Sequence, residues 1–189
     1  SKVSLNEEEV NGFYFGFSNR TIWPLFHYFL EYAEFELDSW LTYKAVNQKF
    51  ANAILEKAGE DDTIWIHDYQ LMLVPKMVRE KRPNLSIGFF LHIPFPSYEI
   101  FRTLPWREEV LEGLLGSDLI GFHTYDYERH FLSSVRRLLG AEVSYNDIYV
   151  DNRLVKVDSF PMGIDYEKFS EAAKTHQQNS VDQQSDLQK

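Results

Sequence analysis

The middle of the chain alternates between short apolar runs and longer amphipathic stretches. Three runs rich in β-branched and aromatic residues, at 63–67, 87–92 and 119–123, predict buried strands. Between and after them, apolar residues recur at helical spacing. Strands that alternate with helices favour an α/β fold, in which a parallel sheet has helices packed on its faces.

Boundary residues help to place the helices. Asp38 or Ser39 is the expected N-cap of a long helix. On a later helix the apolar residues between Tyr127 and Leu138 share one face, and Gly140 stands where a C-terminal cap belongs. The predicted helices lie at 39–56, at 75–81, after Ser97, after Pro105 and around 127–138.

The last part of the chain predicts a hairpin and a polar tail. Two apolar runs, at 148–150 and 154–157, flank Asp151-Asn152, which favours a hairpin at the edge of the sheet. The final residues contain no aromatic side chain and are rich in Gln, Ser, Asn and Lys. We therefore expect one folded domain over 1–169 and a polar linker or disordered tail over 170–189.

Composition narrows the possible functions. The 189 residues include 19 Lys and Arg against 29 Asp and Glu, which gives a net charge of −10, and no cysteine. This acidic balance argues against nonspecific nucleic-acid binding, which needs a basic face. Disulfides, thiol catalysis and Cys-ligated metals are excluded, and a reducing compartment such as the cytoplasm fits. The sequence has no apolar run of the roughly 18 residues that would predict a membrane span.

Each of the three predicted strands ends in a histidine: His67, His92 or His123. Because ligands of parallel sheets bind at the carboxyl ends of the strands, we expect these imidazoles and Asp68 at one rim. A functional site there is favoured, although each histidine could instead bond a neighbouring loop or cap the next helix. A zinc site is the weaker alternative, because neither a His-x-His nor a His-Glu-x-x-His spacing occurs.

Two further features point to the same rim. Pro94 and Pro96 stiffen the loop after His92, although a purely structural loop is the alternative. The aromatic segment near the N-terminus contains Tyr14 and Trp23, which could form a wall for a sugar ring. Packing of both side chains in the core is the competing interpretation.

Five motifs carry a family resemblance. In order along roughly residues 11–169, they resemble the trehalose-6-phosphate synthases, which are retaining, metal-independent glycosyltransferases. The motifs are NRTIWPLFHY at 19–28, WIHDYQL at 65–71, GFFLHIPFP at 88–96, DLIGFHT at 118–124 and FPMGID at 160–165.

The resemblance implies a Rossmann-like α/β domain with a parallel sheet and helices on both faces, the N-terminal half of a GT-B glycosyltransferase. The family's first strand and glycine loop are expected before Ser1, and its C-terminal half after Lys189. The implied reaction transfers glucose from UDP-glucose to glucose 6-phosphate with retention and makes α,α-trehalose 6-phosphate, with no cofactor and no metal. The 189-residue piece alone is expected not to turn over.

The resemblance also implies roles for individual residues. Tyr14 and Trp23 would contact glucose 6-phosphate, and Asp68 would contact the sugars near the reacting centre. His92 would lie beside the donor glucose, with Ile93 adjacent, and Asp68 and His92 are the expected catalytic residues.

One position departs from the family pattern, and two other functions stay open. Gln70 stands where the family usually has His, and little effect is expected. The first alternative function is a non-catalytic sugar-phosphate-binding or regulatory module of the same fold, and the second is a metal hydrolase that uses the rim histidines. A homo-oligomer is possible, because the face that should meet the other half of the enzyme can expose apolar surface.

Overall fold

The fold is built on a six-stranded sheet. A computed structural model describes residues 2–171 and 173 of the chain. The strands are β1 Thr63–His67, β2 Ser86–Phe90, β3 Leu119–Phe122, β4 Glu142–Ser144, β5 Asp147–Val150 and β6 Arg153–Ser159. Their order across the sheet is β1-β2-β3-β6-β5-β4. Strands β1, β2, β3 and β6 are parallel, whereas β5 pairs antiparallel with both β6 and β4.

The sheet confirms the three predicted parallel strands and corrects three details. The second and third strands end before His92 and His123, which therefore begin loops. The predicted hairpin forms, and Asp151 and Asn152 both have positive φ in its turn. Its second strand, β6, lies inside the sheet beside β3, and the edge strand is the unpredicted β4.

Helices flank the strands in sequence. A π-helix at Val10–Ile22 joins α1 to α2, and 3₁₀ turns lie at Leu30–Tyr32 and Tyr69–Leu71. The α-helices are α1 Glu7–Glu9, α2 Trp23–Phe26, α3 Leu37–Lys57, α4 Val74–Arg79, α5 Tyr98–Phe101, α6 Arg107–Leu114 and α7 Tyr125–Leu139. Each of these helices is too short or too polar to cross a membrane.

The predicted N-terminal boundaries of two helices are wrong. Helix α3 begins at Leu37 with Glu36 as N-cap, so Asp38 and Ser39 lie inside its first turn. Pro105 precedes the N-cap Trp106 of α6 and is not the first helical residue. The C-terminal cap of α7 is as predicted, because Gly140 adopts the left-handed conformation that favours glycine.

One face of the sheet is fully covered. Ile66, Phe89, Ile120 and Val157 point into this side and are at most 3% exposed. Against them packs an aromatic cluster around Phe95, whose ring lies within about 6 Å of four others. These neighbours are Phe26, Phe101, Phe122 and Phe131. The loop after His92 is therefore anchored in the core by its central residue.

The opposite face of the sheet is largely open. Trp65 is 67% exposed and Leu119 is 39% exposed, and a hollow of about 430 Å³ lies over them and Phe90. Within residues 2–171 and 173, this part of the sheet presents large apolar side chains to solvent. The predicted tail at 170–189 lies outside the described residues, apart from 170, 171 and 173.

We predict that Phe95→Ala lowers the free energy of unfolding by about 3–5 kcal/mol, because it empties a buried aromatic site. Phe29→Ala is the matched control: Phe29 is 53% exposed, and its loss should cost less than about 1 kcal/mol. Urea unfolding of the chain measures both values. Equal losses would contradict the anchoring of the loop by Phe95.

Candidate functional site

The π-helix brings Tyr14 and Trp23 to the same side. In an α-helix, with 3.6 residues per turn, two positions nine residues apart lie on opposite faces. A π-helix takes roughly 4.4 residues per turn, so nine residues make about two full turns. Tyr14 and Trp23 are 42% and 44% exposed. Core packing, the competing interpretation of these two residues, is therefore wrong.

Two glycines let the π-helix lie close against α3. A Cβ atom at Gly12 would stand 2.7 Å from Cβ of Thr42, and one at Gly16 would stand 2.6 Å from Oγ of Ser39. Such contacts are too short for any side chain, so glycine is required for this approach. The close packing fixes the helix that carries Tyr14 relative to the rest of the site.

Asp68 begins the loop after β1 in a conformation that only glycine adopts without strain. Its φ is 72° and its ψ is 168°, which costs about 1–3 kcal/mol for a residue with a side chain. Its backbone N–H donates to the carbonyl of Phe90 at 2.8 Å. Its Oδ1 accepts from the backbone N–H groups of Tyr69 at 3.0 Å and His92 at 3.3 Å. Oδ2 has no hydrogen-bond partner among residues 2–171 and 173, so it is available to a ligand.

Two side chains of helix α3 hold the rest of this loop by hydrogen bonds to its backbone. The hydroxyl of Tyr43 donates to the carbonyl of Tyr69 at 2.7 Å and accepts from the N–H of Met72 at 3.1 Å. The amide of Asn47 donates to the carbonyl of Gln70 at 3.0 Å and accepts from the N–H of Leu73 at 3.2 Å. Both side chains are fully buried, and burial raises the pKa of the Tyr43 hydroxyl, which stays protonated.

Tyr69 links the loop after β1 to the exposed aromatic pair Tyr14 and Trp23. Its hydroxyl donates to Oδ1 of Asn19 at 3.1 Å, and its ring lies 5.8 Å from the ring of Trp23. Burial, followed by the nearby Asp68 and Tyr14, raises the pKa of Tyr69 to about 12. The hydroxyl therefore remains a hydrogen-bond donor at neutral pH. Through this contact, Tyr14 and Trp23 lie beside the rim that carries Asp68.

The three predicted histidines meet at the carboxyl ends of the strands. Nδ1 of His67 lies 2.9 Å from Nε2 of His92, which is a hydrogen bond between the rings. The ring of His123 lies 5.5 Å from that of His92 in an edge-to-face arrangement. This bond joins His67 to the loop after β2, so it fits both a functional site and the structural alternative, and the functional role of the histidines stays a prediction.

His92 is held in its neutral form. Desolvation lowers its pKa, as do the neighbouring His67 and His123, while the carboxylate of Asp68 opposes the shift. Within the described ranges, no group of three or more His, Asp or Glu side chains is arranged to hold a metal ion. The rim thus places three imidazoles beside one carboxylate, which suits hydrogen bonding to hydroxyl groups.

The loop after His92 contains the predicted site residue Ile93 and is tied to a neighbouring segment. Ile93 is 5% exposed, so its side chain packs in the core and only its backbone can face a ligand. The hydroxyl of Tyr28 accepts from the N–H of Ser97 at 2.8 Å, which ties this loop to the aromatic segment. Ser97 stands at the N-cap position of α5 without a side-chain capping bond.

Sequence reasoning missed the residues that support the site: Tyr43, Asn47, Tyr69 and Asn19. A signal for one of them was present, because Asn47 is a polar residue on the buried face of a long helix.

The π-helix was also missed by the sequence analysis. Its buried residues follow a period of four to five instead of 3.6, as Phe13, Phe17 and Ile22 show.

Comparison with known proteins identifies the family to which this α/β domain belongs. The family model for glycosyltransferase family 20 matches residues 1–188. The chain is 54% identical over 169 residues to the bifunctional trehalose-6-phosphate synthase/phosphatase of Thermoproteus tenax, an alignment that covers 88% of this chain and 23% of that protein.

Solved structures of related proteins are similar to this chain in both fold and sequence. An alpha,alpha-trehalose-phosphate synthase (UDP-forming) from Burkholderia vietnamiensis matches with a TM-score of 0.85 and 34% identity, over 92% of this chain and 39% of that chain. The N-terminal domain of Candida albicans trehalose-6-phosphate phosphatase matches with a TM-score of 0.79 and 39% identity, over 87% of this chain and 35% of that chain.

The chain therefore belongs to glycosyltransferase family 20. The matches confirm the resemblance found in the motifs and the predicted fold class, the Rossmann-like N-terminal part of a GT-B glycosyltransferase. The chain spans about a quarter of the length of the Thermoproteus relative and about two fifths of the Burkholderia chain.

We predict that Asp68→Gly is more stable than Asp68→Ala by about 1 kcal/mol. Both changes remove the carboxylate and its two hydrogen bonds, but only glycine adopts φ of 72° without strain. The greater freedom of glycine in the unfolded chain offsets part of this gain. Urea unfolding of the two variants measures the difference. An alanine variant as stable as the glycine variant would show that the backbone at 68 is unstrained.

Proposed function

We propose that this chain forms the acceptor side of the active site of an α,α-trehalose-phosphate synthase. The reaction transfers glucose from UDP-glucose to glucose 6-phosphate and retains the configuration at the anomeric carbon. The observation that carries the proposal is the convergence of an exposed aromatic pair, a carboxylate and a neutral imidazole at one rim. Membership of family 20 supports it.

Each of the predicted site residues has a role that its surroundings permit. Tyr14 and Trp23 offer aromatic faces on which the ring of glucose 6-phosphate packs. Asp68 accepts hydrogen bonds from sugar hydroxyls through Oδ2, because Oδ1 is already bonded to two backbone amides. His92 orients the donor glucose, and Ile93 contributes through its backbone.

The proposed chemistry needs positioning more than a side-chain nucleophile. The acceptor hydroxyl attacks the anomeric carbon from the face that the UDP leaves. The bond from that carbon to the diphosphate oxygen breaks, a bond to the acceptor oxygen forms, and the proton of the acceptor hydroxyl passes to the departing phosphate. An oxocarbenium-like transition state is stabilised by fixed groups around it, which fits a rim with one carboxylate and several imidazoles.

The other partners also remain proposals. UDP-glucose would be held mainly by the C-terminal half of the enzyme, where the family resemblance implies the Arg and Lys residues that hold the donor diphosphate. A cytoplasmic location is proposed from the absence of cysteine. Self-association is proposed from the open apolar face around Trp65.

A chimera tests the proposed activity. Residues 11–169 replace the matching part of the Burkholderia vietnamiensis synthase, and UDP release is measured with UDP-glucose and glucose 6-phosphate. We expect turnover, and we expect Asp68→Ala to lower it by at least about a hundredfold, since it removes a group that contacts the reacting sugars. Asp126→Ala, at an exposed position on α7, is the matched control and should retain activity. A folded chimera that is inactive, or that tolerates Asp68→Ala, contradicts the proposal.

A non-catalytic sugar-phosphate-binding module is the second candidate. It is favoured by the match to the N-terminal domain of the Candida albicans phosphatase. Titration calorimetry of the chain with glucose 6-phosphate, together with the chimera assay, separates the two functions. Binding that is weakened by Trp23→Ala, combined with an inactive chimera, would favour the module.

A further inference from the structure

We propose that His67 is a positioning residue for His92. It fixes the His92 imidazole in the neutral form that is protonated on Nε2, so that Nδ1 is left as a hydrogen-bond acceptor for a sugar hydroxyl. The identity of the sugar rests on the proposed function, but the protonation state of the ring does not.

The two rings are held together by their backbones as well as by their own hydrogen bond. His67 is the last residue of β1, and the next residue, Asp68, donates its N–H to the carbonyl of Phe90 at the end of β2. The N–H of His92 donates back to Oδ1 of Asp68. This crossed pair of contacts fixes the separation of Nδ1 of His67 and Nε2 of His92 at 2.9 Å.

A single proton lies between these two nitrogens when both rings are neutral. If His92 donates from Nε2, both rings are protonated on Nε2, the more stable neutral form of a histidine side chain. If His67 donates from Nδ1, both rings must adopt the less stable form that is protonated on Nδ1. The first arrangement is therefore favoured by both residues at once.

The surroundings of His92 disfavour its protonated form. The titratable groups that face it are Asp68, His67 and His123, and the ring of Phe90 lies 4.8 Å away. If either neighbouring histidine were protonated, its charge would repel a positive charge on His92. Of these groups, only the carboxylate of Asp68 would favour a protonated His92. Nδ1 of His92 has no hydrogen-bond partner within residues 2–171 and 173, so its lone pair is free for a ligand.

Nitrogen-15 NMR of the labelled chain at pH 8 tests the assignment directly. Long-range proton–nitrogen correlations distinguish the protonated from the unprotonated ring nitrogen. We expect Nε2 of His92 to be protonated and Nδ1 unprotonated in the wild type. His67→Phe keeps a flat ring but removes the acceptor, so both nitrogens of His92 should shift towards the averaged values of a free histidine.

Two further variants sharpen the test. His67→Asn places an amide oxygen near the position of Nδ1, and it should restore the wild-type pattern of His92. His27→Phe removes another imidazole, which is half-buried and contacts the carbonyl of Trp23, and should leave His92 unchanged. A wild-type His92 protonated on Nδ1 overturns the proposal, and so does an unchanged His92 in a folded His67→Phe variant. If that variant does not fold, the wild-type measurement alone decides.

The chimera gives a separate functional readout. There, His67→Phe should lower kcat/KM for UDP-glucose about tenfold, and His67→Asn should recover most of the loss. An inactive parent chimera would count against the proposed function while the NMR result still decides the role of His67. Equal losses in the Phe and Asn variants would show that His67 acts only through packing.

Discussion

The site depends on the backbone of Asp68, which is held in a conformation that its side chain disfavours. The strain of about 1–3 kcal/mol is sustained because the loop is bonded on every side. Phe90 and His92 hold it from the neighbouring strand, and Tyr43 and Asn47 hold it from α3. The carboxylate therefore does two tasks at once, since one oxygen fixes the loop and the other is left for a ligand.

The rim itself was predictable from the sequence. The carboxyl ends of parallel strands lie at one edge of a sheet, so histidines at or just beyond those ends were expected to lie close together. The prolines after His92 indicated a rigid loop, and the buried ring of Phe95 accounts for that rigidity. Turn chemistry was equally informative, because Asp151-Asn152 tolerates the positive φ values that the hairpin needs.

Other parts were not predictable, for identifiable reasons. Helix α3 begins without a side-chain cap, so a search for capping residues placed its start too late. Strand β4 has only three residues and carries little periodic signal. The hydroxyl of Tyr43 bonds to a residue 26 positions away along the chain, and the hydroxyl of Tyr69 to one 50 positions away. No local pattern of residues encodes such pairs. The open face around Trp65 was hidden because Trp65, Phe90 and Leu119 are themselves large apolar residues of the kind that fills a core.

In the π-helix, a change in the number of residues disturbs the geometry more than a change of residue type does. Because each residue advances the helix by about 80°, inserting or deleting one position between Tyr14 and Trp23 would swing one ring away from the other by that angle. Substitutions at exposed positions such as Phe15 leave this geometry intact. Any gap that an alignment opens within this stretch therefore signals that the two rings no longer lie on the same side, even where both aromatic residues are still present.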